Sequence, residues 1–365
     1  MDKPLILTLD AGGTNFSFSA IQNGRQVGDS IILPAQVEDL DICLKHIITG
    51  FQSLIKNINR LPDAISFAFP GPADYENGII GDLPNLPAFR NGVPLGPILE
   101  DEFNVPVFIN NDGNLFALGE SKAGLLPSIN DKLAKFGNPK RYQNLIGITL
   151  GTGFGAGNSI NGNLLRGDNS IAAEVWKLRN KRHPYTSVED TISIRALKRM
   201  YAEQIAIDPS SAPEPAELYR IAMGESEGVQ EAAKEAFMRF GDVLGDAIAN
   251  IVTIIDGLVV LGGGISGAYS LFRGTMMDQL RSTFDQLNGE RPNRLIQEMY
   301  DLEKERELQL FLENENRNVT VPTSARKVNY VEMKKSGIGL SRLGTSEAIS
   351  TGAYYFAVSK LHQHS

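Results

Sequence analysis

Cysteine is nearly absent: Cys43 is the only one in 365 residues, which excludes an internal disulfide and any zinc site built from several thiolates. Its neighbours Leu40, Leu44, Ile47, Ile48, Phe51 and Leu54 recur at helical spacing, so it reads as a small hydrophobe beside an amphipathic stripe. Long apolar runs are missing as well, and so is a cleavage site behind an apolar core near the start. No membrane span or secretory leader is therefore expected, and the chain reads as cytoplasmic. Basic charge is in deficit. Lys and Arg number 35 against 43 Asp and Glu, a net of −8 that works against binding a phosphate backbone, so no nucleic-acid partner is expected. Low-complexity tracts are lacking too, and at 42% hydrophobic residues the chain can bury a core, its length favouring two lobes.

What is present, first, is a strand, a glycine turn and a second strand. PLILTLDAGGTNFSFSAIQNGRQV reads as a Leu- and Ile-rich strand, a Gly-Gly turn, and then the alternating Phe16, Phe18 and Ala20. A Rossmann or Walker loop runs from a strand through glycines straight into a helix, so neither fits. NLIGITLGTGFGAGNSINGNLL repeats the build and runs into a further turn at Asn161-Gly162, which suggests an internal duplication. Between the hairpins the spacing predicts a helix over 38–58, a strand at AISFAFPGP, a Pro/Gly/Asn-rich loop over 70–91, and a strand VPVFIN ending at Asn110-Asn111-Asp112. The helical LFALGESKAG follows, and LAKFGNPKRYQ reads as a surface excursion. Farther on stand the amphipathic VQEAAKEAFMRFGDVLGDAIANIVTIID, the buried strand GLVVLGGGIS and the helical SLFRGTMMDQLRSTF. Residues 288–317, dense in Glu, Arg, Asn and Gln, read as a solvated helical excursion.

Three turns carry the chemistry of a phosphate site. In the first, Gly12 and Gly13 let backbone N–H groups approach an anion, Thr14 and Asn15 add donors, and Asp10 can hold Mg²⁺ through water. The second, with Gly151, Thr152 and Gly153, could clasp the other side of a triphosphate, and Gly262, Gly263 and Gly264 could let a purine or ribose lie against backbone. Each alone has an ordinary reading as a tight turn. Three at strand ends make a consistent ATP cradle. Asp112, at the end of a strand, suits a general base beside a γ-phosphate, and it equally suits a helix N-cap.

The segments LTLDAGGTNFSFSAI, FINNDGNLFALGE, GITLGTGFGAG and LVVLGGGIS resemble, in order and spacing, the phosphate-one, catalytic, phosphate-two and adenosine motifs of the ROK (repressor, open reading frame, kinase) sugar kinases. GTSEAISTGAYYFAV is similar to the family's final helix. The resemblance implies an α/β, two-lobed actin-like ATPase (ribonuclease H-like) fold with duplicated mixed sheets and flanking helices. One lobe is expected from 1–115 plus 347–365 and the other from 116–346. It implies an ATP- and Mg²⁺-dependent transfer to a hexose or N-acetylhexosamine hydroxyl, the 6-OH by family default, with Asp112 as base and a homodimer as the assembly. Asn85, Asn111, Glu174 and Glu189 become sugar contacts by the same correspondence, whereas on composition alone the two glutamates read as surface acids. Sugar binding is then expected to close the lobes and expel water.

Two departures accompany it. Lys177 stands where the family has the His of its Glu-x-x-His motif, which leaves open a changed sugar preference, an anionic sugar, a weakened site, or a side chain turned to solvent. RNKRHPYTSVEDTIS lacks the family's cysteine cluster, so no structural zinc is expected and His183 reads as a loop residue. Trp176 could stack on a pyranose or pack in the core. A non-catalytic sugar sensor of the same family competes with the kinase. No basic helix precedes the first strand, which disfavours direct DNA binding.

Overall fold

A computed structural model describes residues 3–11, 15–35, 38–71, 73–82, 88–314, 316–331 and 333–363. Two compact units form: residues 1–124, 156–173 and 341–365 in the first, 125–155 and 174–340 in the second. The chain thus leaves the first unit and returns to it twice.

In the first unit Leu5–Ala11 pairs antiparallel with Asn15–Gln22, from Leu5 opposite Gln22 to Ala11 opposite Phe16. On its other side it runs parallel to Ala64–Ala68, which runs parallel to Val107–Asn110. Phe16, Phe18, Phe67 and Phe69 fill the space over this sheet together with Cys43, Ile47, Phe51 and Leu54 of the helix Leu40–Ile58. Asp39 caps that helix by accepting from the Ile42 N–H at 3.0 Å, and Asn59 ends it in the left-handed region. Cys43 is fully buried there as expected, and burial pushes its thiol up to about 11.

The helix Asp112–Lys122 is buried along Gly113–Ser121 and packs against the final helix, Thr345–Gln363. A Cβ on Gly119 would overlap the Ala348 carbonyl, and one on Gly352 the Leu115 carbonyl. Two glycines therefore set how closely these helices cross.

The second unit holds four parallel strands in the spatial order Leu145–Leu150, Leu258–Gly262, Lys335–Leu340, Glu298–Asp301. All four C-terminal ends point the same way, and Gln230–Ile254 packs against Tyr269–Leu280. Two expectations need correcting here. The solvated helical excursion expected over residues 288–317 holds only in part: residues 288–293 are exposed and Glu305–Leu312 is a helix, but Glu298–Asp301 is a sheet strand with Asp301 wholly buried, and Leu308, Phe311 and Leu312 bury one face of that helix. LAKFGNPKRYQ is only partly surface. Leu133 and Asn138 are buried, and the Tyr142 hydroxyl donates to the Lys335 carbonyl at 2.7 Å. Among the described residues no helix is long and apolar enough to cross a membrane.

Candidate functional site

Parallel strands deliver their C-terminal residues to one edge of a sheet, and that edge is where open α/β sheets bind ligands. In the first unit the register runs Leu7, Ile65, Val107 across three strands and puts Ala68 opposite Asn110. Asp10 therefore lies level with Asn110, two strands and about 10 Å away. Asp10 and Asn110, two residues before Asp112, thus reach the same edge. Asn15 is exposed just past the turn, while Gly12, Gly13 and Thr14, like Asn85 of the expected sugar loop, lie outside the described residues.

Asp112 does not cap its helix. Asn111 does, its Oδ1 accepting from the Gly113 N–H at 2.8 Å and the Asn114 N–H at 3.4 Å. Asp112 is the first helical residue, and the Gly113 N–H, 2.8 Å from its Oδ1, is its one donor beyond its own backbone. The carboxylate keeps exposed surface, yet burial raises its pKa above the usual carboxylate range, against the lowering effect of the Gly113 N–H. These facts are compatible. A carboxylate with one open face over a protein-filled hemisphere has lost bulk water from most of its solvation volume. A Cβ on Gly113 would stand 2.6 Å from the Ala156 carbonyl oxygen, so the helix start sits directly on the backbone at Ala156 and Gly157.

Beneath lies a pair the sequence did not single out. Asn110 Oδ1 accepts from the Asn111 N–H at 2.8 Å and from Asn114 Nδ2 at 3.1 Å. Both side chains are buried, and Asn110 Nδ2 and Asn114 Oδ1 have no partner among the described residues. Buried amides with unspent atoms are uncommon and call for a water or a ligand. The N-N-D-G-N run is the signal that could have revealed them.

In the second unit the other two turns meet. Gly263 has φ of +85°, and a Cβ there would overlap the Leu150 backbone, so the Gly262–Gly264 turn lies against the start of the Gly151–Gly153 turn. A Cβ on Gly151 or Gly264 would meet nothing within 4 Å, which leaves open space over backbone in both turns. That space suits a nucleotide. For Mg²⁺, which keeps several waters and takes one or two carboxylates plus phosphate oxygens, Asp10 supplies a fitting single carboxylate. No cluster of three or more His, Cys, Asp or Glu that could hold a metal forms among the described residues.

Glu189 lies against the second turn at Gly153 and Phe154, while Thr152 is exposed. Its Oε2 accepts from the Phe154 N–H at 3.2 Å and would stand 2.7 Å from a Cβ on Gly153, while Arg195 Nη2 donates to Oε1 at 3.1 Å. The later glutamate is thus tied to the second glycine turn. Glu174, Trp176 and Lys177 gather separately around the one-turn 3₁₀ helix Val175–Lys177. Trp176 is half-buried, its Nε1 donates to Glu174 Oε2, and Lys177 Nζ sits 4.0 Å from the indole centroid.

The loop between these glutamates is held by a residue the sequence did not flag. Asn180 is fully buried, its Oδ1 accepts from the N–H groups of Arg182 (3.0 Å) and His183 (3.3 Å), and its Nδ2 donates to Thr191 Oγ1 at 2.8 Å. Hydrogen bonds from one amide organise this turn.

The model for the ROK family matches residues 6–301. A glucokinase from Parabacteroides distasonis is 49% identical over 98% of both chains, with a TM-score of 0.88. A ROK hexokinase from Thermus thermophilus is 20% identical, covers 98% of this chain and 99% of its own, and has a TM-score of 0.67. Among curated relatives a glucokinase from Thermotoga maritima is 26% identical over 300 residues, 77% of this chain and 88% of its own length. The actin-like ATPase fold of these sugar kinases is the fold seen here.

Proposed function

We infer the function from one premise: the chain belongs to the ROK family. On that footing it is an ATP-dependent sugar kinase that moves the γ-phosphoryl of Mg-ATP to a hexose or N-acetylhexosamine hydroxyl, the 6-OH by family default. Asp112 is the base. The observation that carries this reading is its carboxylate: spared from capping by Asn111, level with the end of the strand that bears Asp10, and raised in pKa by burial.

As the sugar oxygen bonds to the γ-phosphorus and the bond to ADP breaks, the hydroxyl proton passes to Asp112. Little covalent work falls to the protein beyond this. The rest is positioning, which can supply much of the barrier reduction. Asn111 Nδ2, left over after capping, would orient the acceptor, with Asn85 and Glu174 as further sugar contacts. Gly12, Gly13, Thr14, Asn15 and the Gly151–Gly153 turn would hold phosphates, and Gly262–Gly264 the adenosine. Mg²⁺, held by Asp10 through water, would neutralise charge on the phosphates. Glu189 would serve from beneath the phosphate turn, its contact to Phe154 linking that turn to the sugar loop. The lobe assignment, with the first turn and Asp112 on one lobe and the remaining turns and glutamates on the other, belongs to the same reading.

ADP release with Mg-ATP across glucose, mannose, fructose, N-acetylglucosamine, N-acetylmannosamine and sugar acids, run beside Asp112→Asn, tests it. Sugar-dependent turnover that the substitution nearly abolishes supports the kinase. Sugar binding by calorimetry without turnover on any sugar would overturn it in favour of a sensor.

A further inference from the structure

The geometry points to a positioning cluster of Glu174, Trp176 and Lys177, in which the indole N–H fixes Glu174 for the hydroxyls of an uncharged hexose and Lys177 braces the indole instead of receiving an anion. This rests on the sugar-kinase reading above.

Strained backbone precedes the cluster in the chain. Ser170 and Ala173 have φ of +55° and +71° in the four residues before Glu174, and neither is glycine. Such residues are strained and persist where the surroundings over-determine them, commonly at ligand sites. The carboxylate of Glu174 makes no cap to the turn that follows. One oxygen is taken by Trp176 Nε1, and an ionised carboxylate has roughly four acceptor sites, so most of its capacity faces outward. The exposed side chains of Glu174 and Lys177 flank the half-buried indole, and Val175 is the buried anchor of the turn.

Lys177 forms no ion pair with an acid among the described residues, and its ammonium rests on the indole face. A cation there draws on the ring's electron density and strengthens the N–H as a donor, so both contacts act on Glu174 together. An acidic sugar would have to pull Lys177 off the ring and place its charge beside Glu174. A neutral hexose needs neither, since its hydroxyls donate to a carboxylate already aimed.

Trp176 is the only tryptophan, so its emission reports on this cluster alone. Glucose is expected to change that emission saturably, over the concentrations at which it supports turnover, and gluconate to leave it unchanged. Trp176→Phe removes the donor and keeps the ring; it should raise KM for glucose about tenfold with kcat within about threefold, as loss of a hydrogen bond to a charged acceptor implies. Trp176→His, which keeps an N–H, should recover part of the loss. An unchanged KM in Trp176→Phe, or preferential turnover of gluconate, a sugar acid that keeps its 6-OH, would overturn the cluster while leaving the kinase standing. Should no sugar be turned over, the kinase reading falls and the cluster is judged on sugar-free emission: Glu174→Gln and Lys177→Met must each shift it, and no shift in either overturns the proposal.

Discussion

The two ends of the helix Asp112–Lys122 treat a carboxylate in opposite ways. Near its C-terminal end Glu120 is fully buried and richly served: its Oε1 accepts from the Ser341 hydroxyl at 2.5 Å and from the N–H groups of Arg342 at 3.0 Å and Leu343 at 3.1 Å. At the N-terminal end Asp112 has one neighbouring N–H and a pKa raised by burial. A carboxylate whose acceptor sites are filled holds structure together. One left short in a desolvated place is available to take a proton.

The sharpest break in this contrast is Asp112→Asn, expected to lower sugar-dependent kcat by about 10²–10⁴-fold, the usual worth of a general base, in a steady-state ADP-release assay. Glu120→Ala should act on the other side of the comparison. It strands buried donors and costs on the order of 3 kcal/mol, read as a Tm lower by roughly 5–10 °C, with turnover per folded molecule little changed. Gly352→Ala presses a methyl into the Leu115 carbonyl and should cost about 1–3 kcal/mol in chemical denaturation.

A smaller effect sharpens the contrast through pH. The folded-state pKa of Asp112 lies above its ordinary 3.8, so the folded state favours the protonated acid. The stability this confers is complete below pH 3.8 and is lost as pH rises through the folded value. Asp112→Asn should therefore melt slightly above the wild type at neutral pH, and the gap in calorimetric Tm should close as pH falls toward 3.8. A gap of the opposite sign would mean that Asp112 is held ionised by contacts that stabilise the fold. Smallest of all, Arg291→Ala breaks an ion pair whose two side chains are 70% and 78% exposed, and should move stability by less than about 0.5 kcal/mol.

Local signals carried much of this site. The alternation of Phe16, Phe18 and Ala20 after a glycine turn, the N-N-D run closing a strand, and the Gly262–Gly264 cluster all depend on neighbours a few residues apart, which a sequence displays directly. Long-range pairing left no such trace. Glu298–Asp301 reads as polar because of its flanks, and only its register with Lys335–Leu340 makes it a buried strand. Likewise, no property of Asn111 or Asp112 alone tells which of two good capping residues takes the cap; the helix boundary decides it. Asn180 was illegible for a related reason, since an asparagine in a polar loop looks the same whether it faces water or organises the loop from within. That Ala156–Ala173 belongs with the first unit likewise has no signature in composition.

The tie between Glu120 and Ser341 spans 221 residues, and it has a consequence during synthesis. At roughly 5–20 residues per second, about 10–45 s separate the emergence of the carboxylate from that of the groups that satisfy it. Over that interval the nascent helix bears a charge destined for burial and lacks the final helix that will cover it. A segment made in the first third of synthesis is thus among the last to be finished, and a weakened Glu120 contact would first be felt only once Ser341–Leu343 have emerged.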